Sequence, residues 1–399
     1  MKELLDYFLK YVEIDTMSKE GENKTPSTMK QFDLAKVLVE DLKDLGLKNI
    51  ELNDKCILTA FLPSNCNSNI HIGFIAHMDT IPGFSGTNVK PNVIKNYDGK
   101  TIKLNGIELN TLQFPFLKDL KGKTLITTDG TTVLGADDKA GVANIMRMLL
   151  HFKNTNEPHV NIHVAFTPDE EIGGGIESFD VNKFGCDYAY TVDGGLYNEI
   201  NYENFNAESI YVNIKGIDIH PGSAKNQMIN ASRVAMEFDS LLSPFLRPEY
   251  TDGYDGFNHL CEIKGEVGNA YMEYILRNHD KKLLKEQENE FKNAMEFLNK
   301  KYQKDIVSIT IKESYSNMRE LIEKDDRCIK RAIKAIKDSG FTPITTPIRG
   351  GTDGARLTQM GLNTPNLGTG GYNCHGPYEF ACLEEMDNVV KILINIAKN

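Results

Sequence analysis

Three apolar segments of this sequence each end in acidic or histidine side chains that could bind a metal ion. The segments, with the side chains that follow them, are 70–76 with His77 and Asp79, 160–166 with Glu170 and Glu171, and 188–192 with Asp193. Asp137 lies in a further turn that contains glycine, and His375 lies in a glycine-rich stretch near the C-terminus. Imidazole nitrogens and carboxylate oxygens without thiolates suit Zn²⁺, with Co²⁺ or Mn²⁺ as substitutes.

Asp137 is the residue on which a site for two ions depends. If its carboxylate bridges the ions, each ion receives one imidazole and carboxylate oxygens. Asp137 and Asp138 also precede an apolar segment that indicates a buried helix, so one of them could simply cap that helix. Two adjacent acids are more than a cap needs, and we predict that Asp137 is a ligand. The predicted ligands are His77, Asp137, Glu171, Asp193 and His375.

The neighbouring acids Glu170 and Glu171 predict a division between a catalytic group and a ligand. Adjacent side chains of an extended chain point in opposite directions, so only one of the two is expected to bind an ion. The other can face bound water and act as a general base. Two ions lower the pKa of a water molecule between them and polarise a carbonyl, as amide hydrolysis requires. Asp79, two residues after His77, is expected to accept the second N–H of that imidazole.

These side chains need a scaffold that brings distant strand ends together. The apolar segments alternate with predicted helices, which indicates an open α/β sheet covered by helices on both faces. Ligands of such sheets gather beyond the carboxyl ends of the strands, where this sequence has its acids and His77. We therefore predict an α/β catalytic domain with an open mixed sheet flanked by helices.

A second, smaller unit is predicted within the chain, because 399 residues exceed the usual size of a single core. From about residue 208 the pattern changes to strand, helix, two strands, helix and strand, a βαββαβ order that can fold alone. The predicted domains are a catalytic domain formed by 1–207 and 319–399 and an inserted lid or dimerisation-like domain at 208–318. The sequence leaves the oligomeric state open, with a homodimer as one alternative.

The composition argues against several classes of partner. A net charge of −11 disfavours nucleic acid and anionic membranes, and no stretch approaches the roughly 18 uncharged apolar residues of a membrane span. The seven cysteines form neither a CxxC pair nor a regular disulfide framework, and acids interrupt the apolar residues of the N-terminus, unlike those of a signal peptide. We therefore expect a soluble, cytoplasmic protein.

Longer motifs surround the candidate residues. They are AHMDT at 76–80, TTDGTTVLGADDKAG at 127–141, FTPDEEIGGG at 166–175, TVDGG at 191–195, YENFNAES at 202–209, HPGSAKNQMINA at 220–231, IRGGTDGARL at 348–357, TPNLGTGG at 364–371 and HGPYEF at 375–380. On these motifs the sequence resembles, nearly end to end, the bacterial tripeptide aminopeptidases among the aminoacylase and carboxypeptidase G-like di-zinc peptidases. It differs from the family pattern at 196–198 and at Cys374, and neither difference removes a ligand.

The resemblance implies a role for each candidate residue. One zinc ion would be held by His77, Asp137 and Asp193, and the other by Asp137, Glu171 and His375. Glu170 would be the catalytic base, and Asp79 would orient His77. The implied activity is release of the N-terminal residue of tripeptides. A dipeptidase, a carboxypeptidase or an N-acyl amino acid deacylase is the alternative with the same metals, and a metal-binding protein without turnover is the alternative of another class.

The resemblance implies that His220 and Arg349 contact the substrate. From the residues alone, a turn histidine and a surface arginine are the alternatives. A tripeptidase must also hold the carboxylate at the far end of its substrate, for which Arg349 and Arg277 are the candidate cations, because charge-assisted hydrogen bonds are strong.

Overall fold

The computed structural model describes residues 1–398, which form two compact units. The first unit comprises Met1–Tyr202, Glu320–Thr346 and the chain from Thr352 onward, and the second comprises Glu203–Arg319 and Pro347–Gly351. Within residues 1–398, no helix combines the length and the apolar character that crossing a membrane requires.

A seven-stranded mixed sheet lies at the centre of the first unit. In spatial order its strands are β1 (Lys48–Leu52), β2 (Leu58–Leu62), β8 (Asn161–Thr167), β3 (His71–His77), β9 (Tyr188–Gly194), β15 (Asn366–Gly368) and β10 (Ile200–Asn201). Strands β8, β3, β9 and β15 are parallel, whereas β1, β2 and β10 pair antiparallel with their neighbours. Beyond His71, β3 is buried throughout, as expected for an apolar central strand covered on both faces.

Helices cover this sheet, and the longest of them carries Asp137 at its start. They are α1 (Lys2–Val12), α2 (Gln31–Leu45), α3 (Ala136–Thr155), α4 (Val181–Phe184), α7 (Arg319–Ile322), α8 (Arg327–Asp338), α9 (Asp353–Gln359) and α10 (Leu383–Ala397). Helix α3 packs against α1, α10 and β3 and is buried on nearly every side. The predicted buried helix after Asp137 is therefore confirmed.

Short strands complete the first unit. β4 (Asn92–Ile94), β7 (Leu125–Thr127), β16 (Gly371–Tyr372) and β17 (Phe380–Cys382) form an antiparallel sheet, and β5 (Ile102–Lys103) pairs with β6 (Glu108–Leu109). The loop between β16 and β17 carries His375.

An antiparallel four-stranded sheet forms the second unit. Its spatial order is β12 (Phe257–Gly265), β13 (Asn269–Asn278), β11 (Asn206–Lys215) and β14 (Val307–Tyr315), and its helices are α5 (Ala231–Ser240) and α6 (Lys281–Tyr302). Alternate residues of β11 (Ile210, Val212 and Ile214) share a core with Phe238 of α5 and Phe291 of α6. The order along the chain is βαββαβ, as predicted.

Candidate metal centre

Three parallel strands end at one edge of the large sheet and bring candidate side chains there. His77 is the last residue of β3, Asp193 precedes the last residue of β9, and Glu170 and Glu171 follow β8 after two intervening residues. Strand β3 pairs in parallel with both β8 and β9, so the three carboxyl ends lie side by side. Residues that are far apart in the sequence therefore converge at this edge.

Asp137 lies between the two histidines. Its Oδ1 is 2.9 Å from His77 Nε2, and its Oδ2 is 3.0 Å from His375 Nε2. Each imidazole also faces a second carboxylate: His77 Nε2 is 3.5 Å from Asp193 Oδ1, and His375 Nε2 is 3.1 Å from Glu171 Oε2. The cluster thus has two halves, each with one imidazole and one carboxylate, that share Asp137.

The donor set fits divalent metal ions. Potential ligand atoms of His77, Asp137 and Glu171 lie within 4.8 Å of one another, and the same is true of His77, Glu170 and Asp193. Imidazole nitrogen with carboxylate oxygen suits zinc and similar ions. The second grouping contains Glu170, so its carboxylate borders the same space as the His77 half of the cluster.

Burial and mutual repulsion control ionisation in the cluster. Burial raises the pKa of Glu170 well above its ordinary value, and Asp193 raises it further. Burial also raises the pKa of Asp193 to about 6, although His77 opposes the shift. In Asp137, hydrogen bonds from both histidines outweigh the effect of burial and lower the pKa. Hydrogen bonds to Asp137 and a neighbouring glutamate raise the pKa of His375 to about 10. Crowded, buried carboxylates of this kind are stabilised by any cation placed among them.

The turn after β8 differs from the extended chain that the sequence predicts. Glu170 and Glu171 begin a short 3-10 helix, Glu170–Ile172. The argument that the two side chains diverge because the chain is extended is therefore wrong. Glu171 Oε2 lies 3.1 Å from His375 Nε2. Both glutamates also group with His77, Glu171 together with Asp137 and Glu170 together with Asp193. A helical turn, not an extended strand, therefore positions the two carboxylates.

Asp79 holds this turn more closely than it holds the imidazole. His77 Nδ1 is 3.1 Å from the Asp79 carbonyl oxygen and 3.4 Å from its carboxylate Oδ1. The same carboxylate accepts hydrogen bonds from the main-chain N–H groups of Glu170 at 3.0 Å and Glu171 at 3.2 Å. His77 Nδ1 therefore lies closer to the carbonyl oxygen of Asp79 than to its carboxylate, which is the predicted partner. The carboxylate binds main-chain amides of the turn.

Asp353 and Glu379 are buried acids of the first unit that sequence reasoning misses. Asp353, the first residue of α9, accepts a hydrogen bond from the Thr167 hydroxyl at 2.8 Å, and burial raises its pKa to about 7. Glu379 is 1% exposed and accepts hydrogen bonds from main-chain amides of the Asp137 turn. Both acids lie inside the motifs at 348–357 and 375–380. Acids are common in the first turn of a helix and in loops, so the sequence alone does not distinguish Asp353 or Glu379 from other acids.

The predicted substrate contacts His220, Arg277 and Arg349 belong to the second unit. His220 is exposed, and its Nδ1 accepts the Gly222 N–H at 3.1 Å, which leaves the proton of a neutral ring on Nε2. Arg277 donates from Nη1 to the Leu276 carbonyl at 2.9 Å and lies over the ring of Tyr315.

Arg349 is fixed by a loop of the same unit. Its Nη1 donates to the carbonyls of Gly253 and Asp255, both at 2.8 Å, and its Nη2 donates to the Thr251 hydroxyl at 3.0 Å. The guanidinium carbon lies 5.1 Å from the ring centre of Phe205. These contacts hold the side chain in one orientation and leave Nε–H outside the three hydrogen bonds.

Comparison with known proteins gives full-length matches. "Peptidase T" of Clostridium perfringens is 50% identical over 100% of this chain and 99% of that protein, and "Peptidase T" of Alkaliphilus oremlandii is 49% identical over 99% and 98%. Among solved structures, aminopeptidase PepT from Bacillus cereus aligns with a TM-score of 0.79 at 22% identity, covering 99% of this chain and 97% of the other. A tripeptidase from Staphylococcus aureus aligns with a TM-score of 0.80 at 22% identity, covering 100% and 97%. These structures confirm the predicted fold class.

The model of one protein family also matches most of the chain. It is described as "Peptidase family M20/M25/M40", and the match covers residues 133–399. This region contains Asp137, both glutamates of the turn after β8, Asp193 and His375. The protein therefore belongs to peptidase family M20/M25/M40 and, within it, groups with the proteins called peptidase T.

Proposed function

We propose that the protein is a metallo-aminopeptidase that removes the N-terminal residue of tripeptides. The observation that carries the proposal is Asp137, which presents one oxygen to each of two histidines beside the carboxylate of Glu170. Sequence identity of about 50% over the full length to proteins named peptidase T supports the peptidase class. The tripeptide preference rests on the resemblance of the motifs.

The proposed centre holds two zinc ions, one in each half of the cluster. His77, Asp137 and Asp193 would hold one ion, and Asp137, Glu171 and His375 would hold the other, with Co²⁺ or Mn²⁺ as substitutes. Such ions supply an acidified water molecule and polarise the scissile carbonyl. The protein itself positions the ligand side chains. Asp79 binds the turn that carries Glu171. His77 lies at the end of β3, and His375 lies in the loop between β16 and β17.

Glu170 is the proposed general base. Its carboxylate groups with the His77 half of the cluster, and its main-chain N–H is bound by Asp79 at 3.0 Å. A carboxylate in this position can take a proton from metal-bound water. The same group can return that proton to the leaving amine.

The second unit is proposed to act as a lid that supplies substrate contacts. His220 would donate its Nε2–H to a substrate oxygen, because Nδ1 already accepts a main-chain N–H. Arg349 would bind the C-terminal carboxylate. Its guanidinium is already fixed by the 251–255 loop, so binding would restrict little further side-chain freedom. Arg277 is the second candidate cation for that carboxylate.

We place the protein in the cytoplasm. All seven cysteines are free thiols, including Cys56, Cys328 and Cys382 in buried positions. A chain with this many unpaired cysteines suits a reducing compartment.

Peptides that differ only at their ends test the proposal. With zinc present, Met-Gly-Gly should lose methionine first, as identified by mass spectrometry. Its N-acetylated form should not react, because the free amine is the recognised end. Its C-terminal amide should react with a lower kcat/KM, and Arg349→Ala should lower kcat/KM for the free acid more than for the amide. Rapid cleavage of the acetylated peptide would indicate a deacylase or carboxypeptidase, and release of the C-terminal residue first would exclude an aminopeptidase.

A further inference from the structure

Glu379 is a buried acid whose partners are main-chain amides. It lies in the loop between β16 and β17, four residues after His375, and is 1% exposed. Its Oε2 accepts the N–H groups of Leu134 at 2.7 Å and Gly135 at 2.8 Å, and its Oε1 accepts the N–H of Asp137 at 3.0 Å. One carboxylate thus satisfies three amides at the start of α3.

Helix capping alone does not account for this arrangement. The residue before α3 is Gly135, which has no side chain to cap the helix, and Glu379 supplies the missing acceptor from a distant loop. A cap needs one short polar side chain nearby, whereas this carboxylate is buried and comes from a loop more than 200 residues away in the sequence. Burying a carboxylate is costly, so a use beyond capping is expected.

The position of Glu379 connects two candidate ligands. Through the hydrogen bond to Asp137 N–H, it fixes the backbone from which the shared carboxylate extends. Through the loop, it is joined to His375, whose Nε2 lies 3.0 Å from Asp137 Oδ2. The orientation of Asp137 toward His375 therefore depends on the contact between the loop and the turn.

We infer that Glu379 is a positioning residue for the metal ion shared by Asp137 and His375. The inference rests on the proposed function, since it assumes the two-ion centre. Glu379 touches neither ion. It holds the Asp137 turn against the loop of His375, so that the Oδ2 atom and the imidazole face each other before an ion binds. Groups that orient metal ligands in this way typically change metal affinity by about 10- to 100-fold when they are lost.

Glu379→Gln tests the inference, because the amide keeps the size of the side chain but places an NH₂ group against main-chain donors. Zinc affinities of the two sites are measured by titration against a competing chelator, and the Co²⁺-loaded protein is examined by visible absorption. One site should weaken by about 10- to 100-fold. The Co²⁺ absorption band that Glu379→Gln weakens should be the one that disappears in His375→Asn. It should not be the one that disappears in Asp193→Asn.

Glu385→Gln is the matched control. Glu385 is also a buried glutamate, 3% exposed, but its carboxylate binds Lys123 Nζ at 2.6 Å and the Tyr372 hydroxyl. This variant should keep both zinc affinities. If Glu379→Gln does not fold, Glu379→Asp retains the charge with a shorter reach and should show a smaller loss at the same site.

Two outcomes would overturn the inference. These are unchanged zinc affinities in Glu379→Gln and equal losses at both sites. Unchanged affinities together with a lower melting temperature of the metal-free protein would assign Glu379 to helix capping alone. Failure of the proposed function is distinguishable, because the wild-type protein would then bind only one ion or none, whatever residue stands at 379.

Discussion

Strand β3 has a histidine at each end, and the two ends have opposite surroundings. At the carboxyl end, His77 faces Asp137 and Asp193, and these acids outweigh burial and raise its pKa well above the ordinary value. At the amino end, about 20 Å away along an extended strand, His71 Nδ1 lies 2.9 Å from His163 Nε2 of the neighbouring strand.

An aromatic ring packs against both histidines of the partly buried pair at the amino end. The ring of Phe61 lies 4.6 Å from that of His163 and stacks on His71 at 6.2 Å, centre to centre. Burial and the neighbouring His71 lower the pKa of His163 to about 4, so its ring stays neutral at physiological pH. Two imidazoles that share a hydrogen bond between rings serve packing.

The difference between the two ends shows that the neighbours of a histidine decide its chemistry. The carboxylates at the carboxyl end of β3 favour positive charge beside them. The imidazole of His77 is therefore either protonated or bound to a metal cation. At the amino end, burial and the neighbouring imidazole disfavour positive charge on His163, and we interpret the pair as structural. The two ends can be separated by experiment, because substitutions at the first should change catalysis and metal content, whereas those at the second should change stability.

The largest effect is expected from Glu170→Gln at the carboxylate-rich end. The amide preserves the shape of the side chain but cannot take a proton from water, so kcat should fall by about 10² to 10⁴. Metal content, measured by elemental analysis after dialysis against zinc, should be unchanged. The exposed Glu177 is the control, and Glu177→Gln should keep full activity. Full turnover with reduced metal in Glu170→Gln would contradict the assignment of the base.

A comparison of two histidine variants should separate the ends by metal content. His375→Gln removes the imidazole that faces Asp137 and Glu171, so the zinc content should fall from two ions per chain to about one. His71→Gln removes an imidazole that contacts Phe61 and His163 and should leave the content at two. Equal loss in both variants would show that the effect is general destabilisation and that the contrast between the ends is wrong.

The smallest effect is expected from the pH dependence of stability at the ring-lined end. The ordinary pKa of histidine is 6.5, and that of His163 in the folded protein is about 4. Between these values the unfolded chain binds a proton that the folded chain does not, so stability falls as the pH falls from about 6.5 to about 4. Above 6.5 this histidine contributes no pH dependence. The loss by pH 5 is at most about 2 kcal/mol.

Urea unfolding of His163→Asn at several pH values measures this contribution. The variant should show a flatter decline of the free energy of unfolding between pH 6.5 and 4 than the wild-type protein. The exposed His259 provides the control, and His259→Asn should keep the wild-type slope. Identical slopes in His163→Asn and the wild type would contradict the lowered pKa of His163 in the folded protein.

Much of the architecture could be predicted from local sequence patterns. The apolar run before His77 indicates a strand covered on both faces, and the change of pattern near residue 208 indicates the βαββαβ unit, because burial demands such periodicities. The convergence of His77, Asp193 and the glutamates after β8 also follows, since parallel neighbouring strands end at the same edge. The longer motifs around these residues indicated the protein family.

By itself, the sequence determined which residue types stand at the strand ends and in which order the elements occur, because these depend on side-chain size and polarity along a continuous stretch. Only the tertiary structure decided that Asp79 binds the main-chain amides of Glu170 and Glu171, and that Glu379 holds the turn of Asp137. Each of these contacts joins residues that lie dozens to hundreds of positions apart. Their geometry depends on turns and loops whose hydrogen bonds form only when the sheet and helices have packed, and no local pattern encodes it.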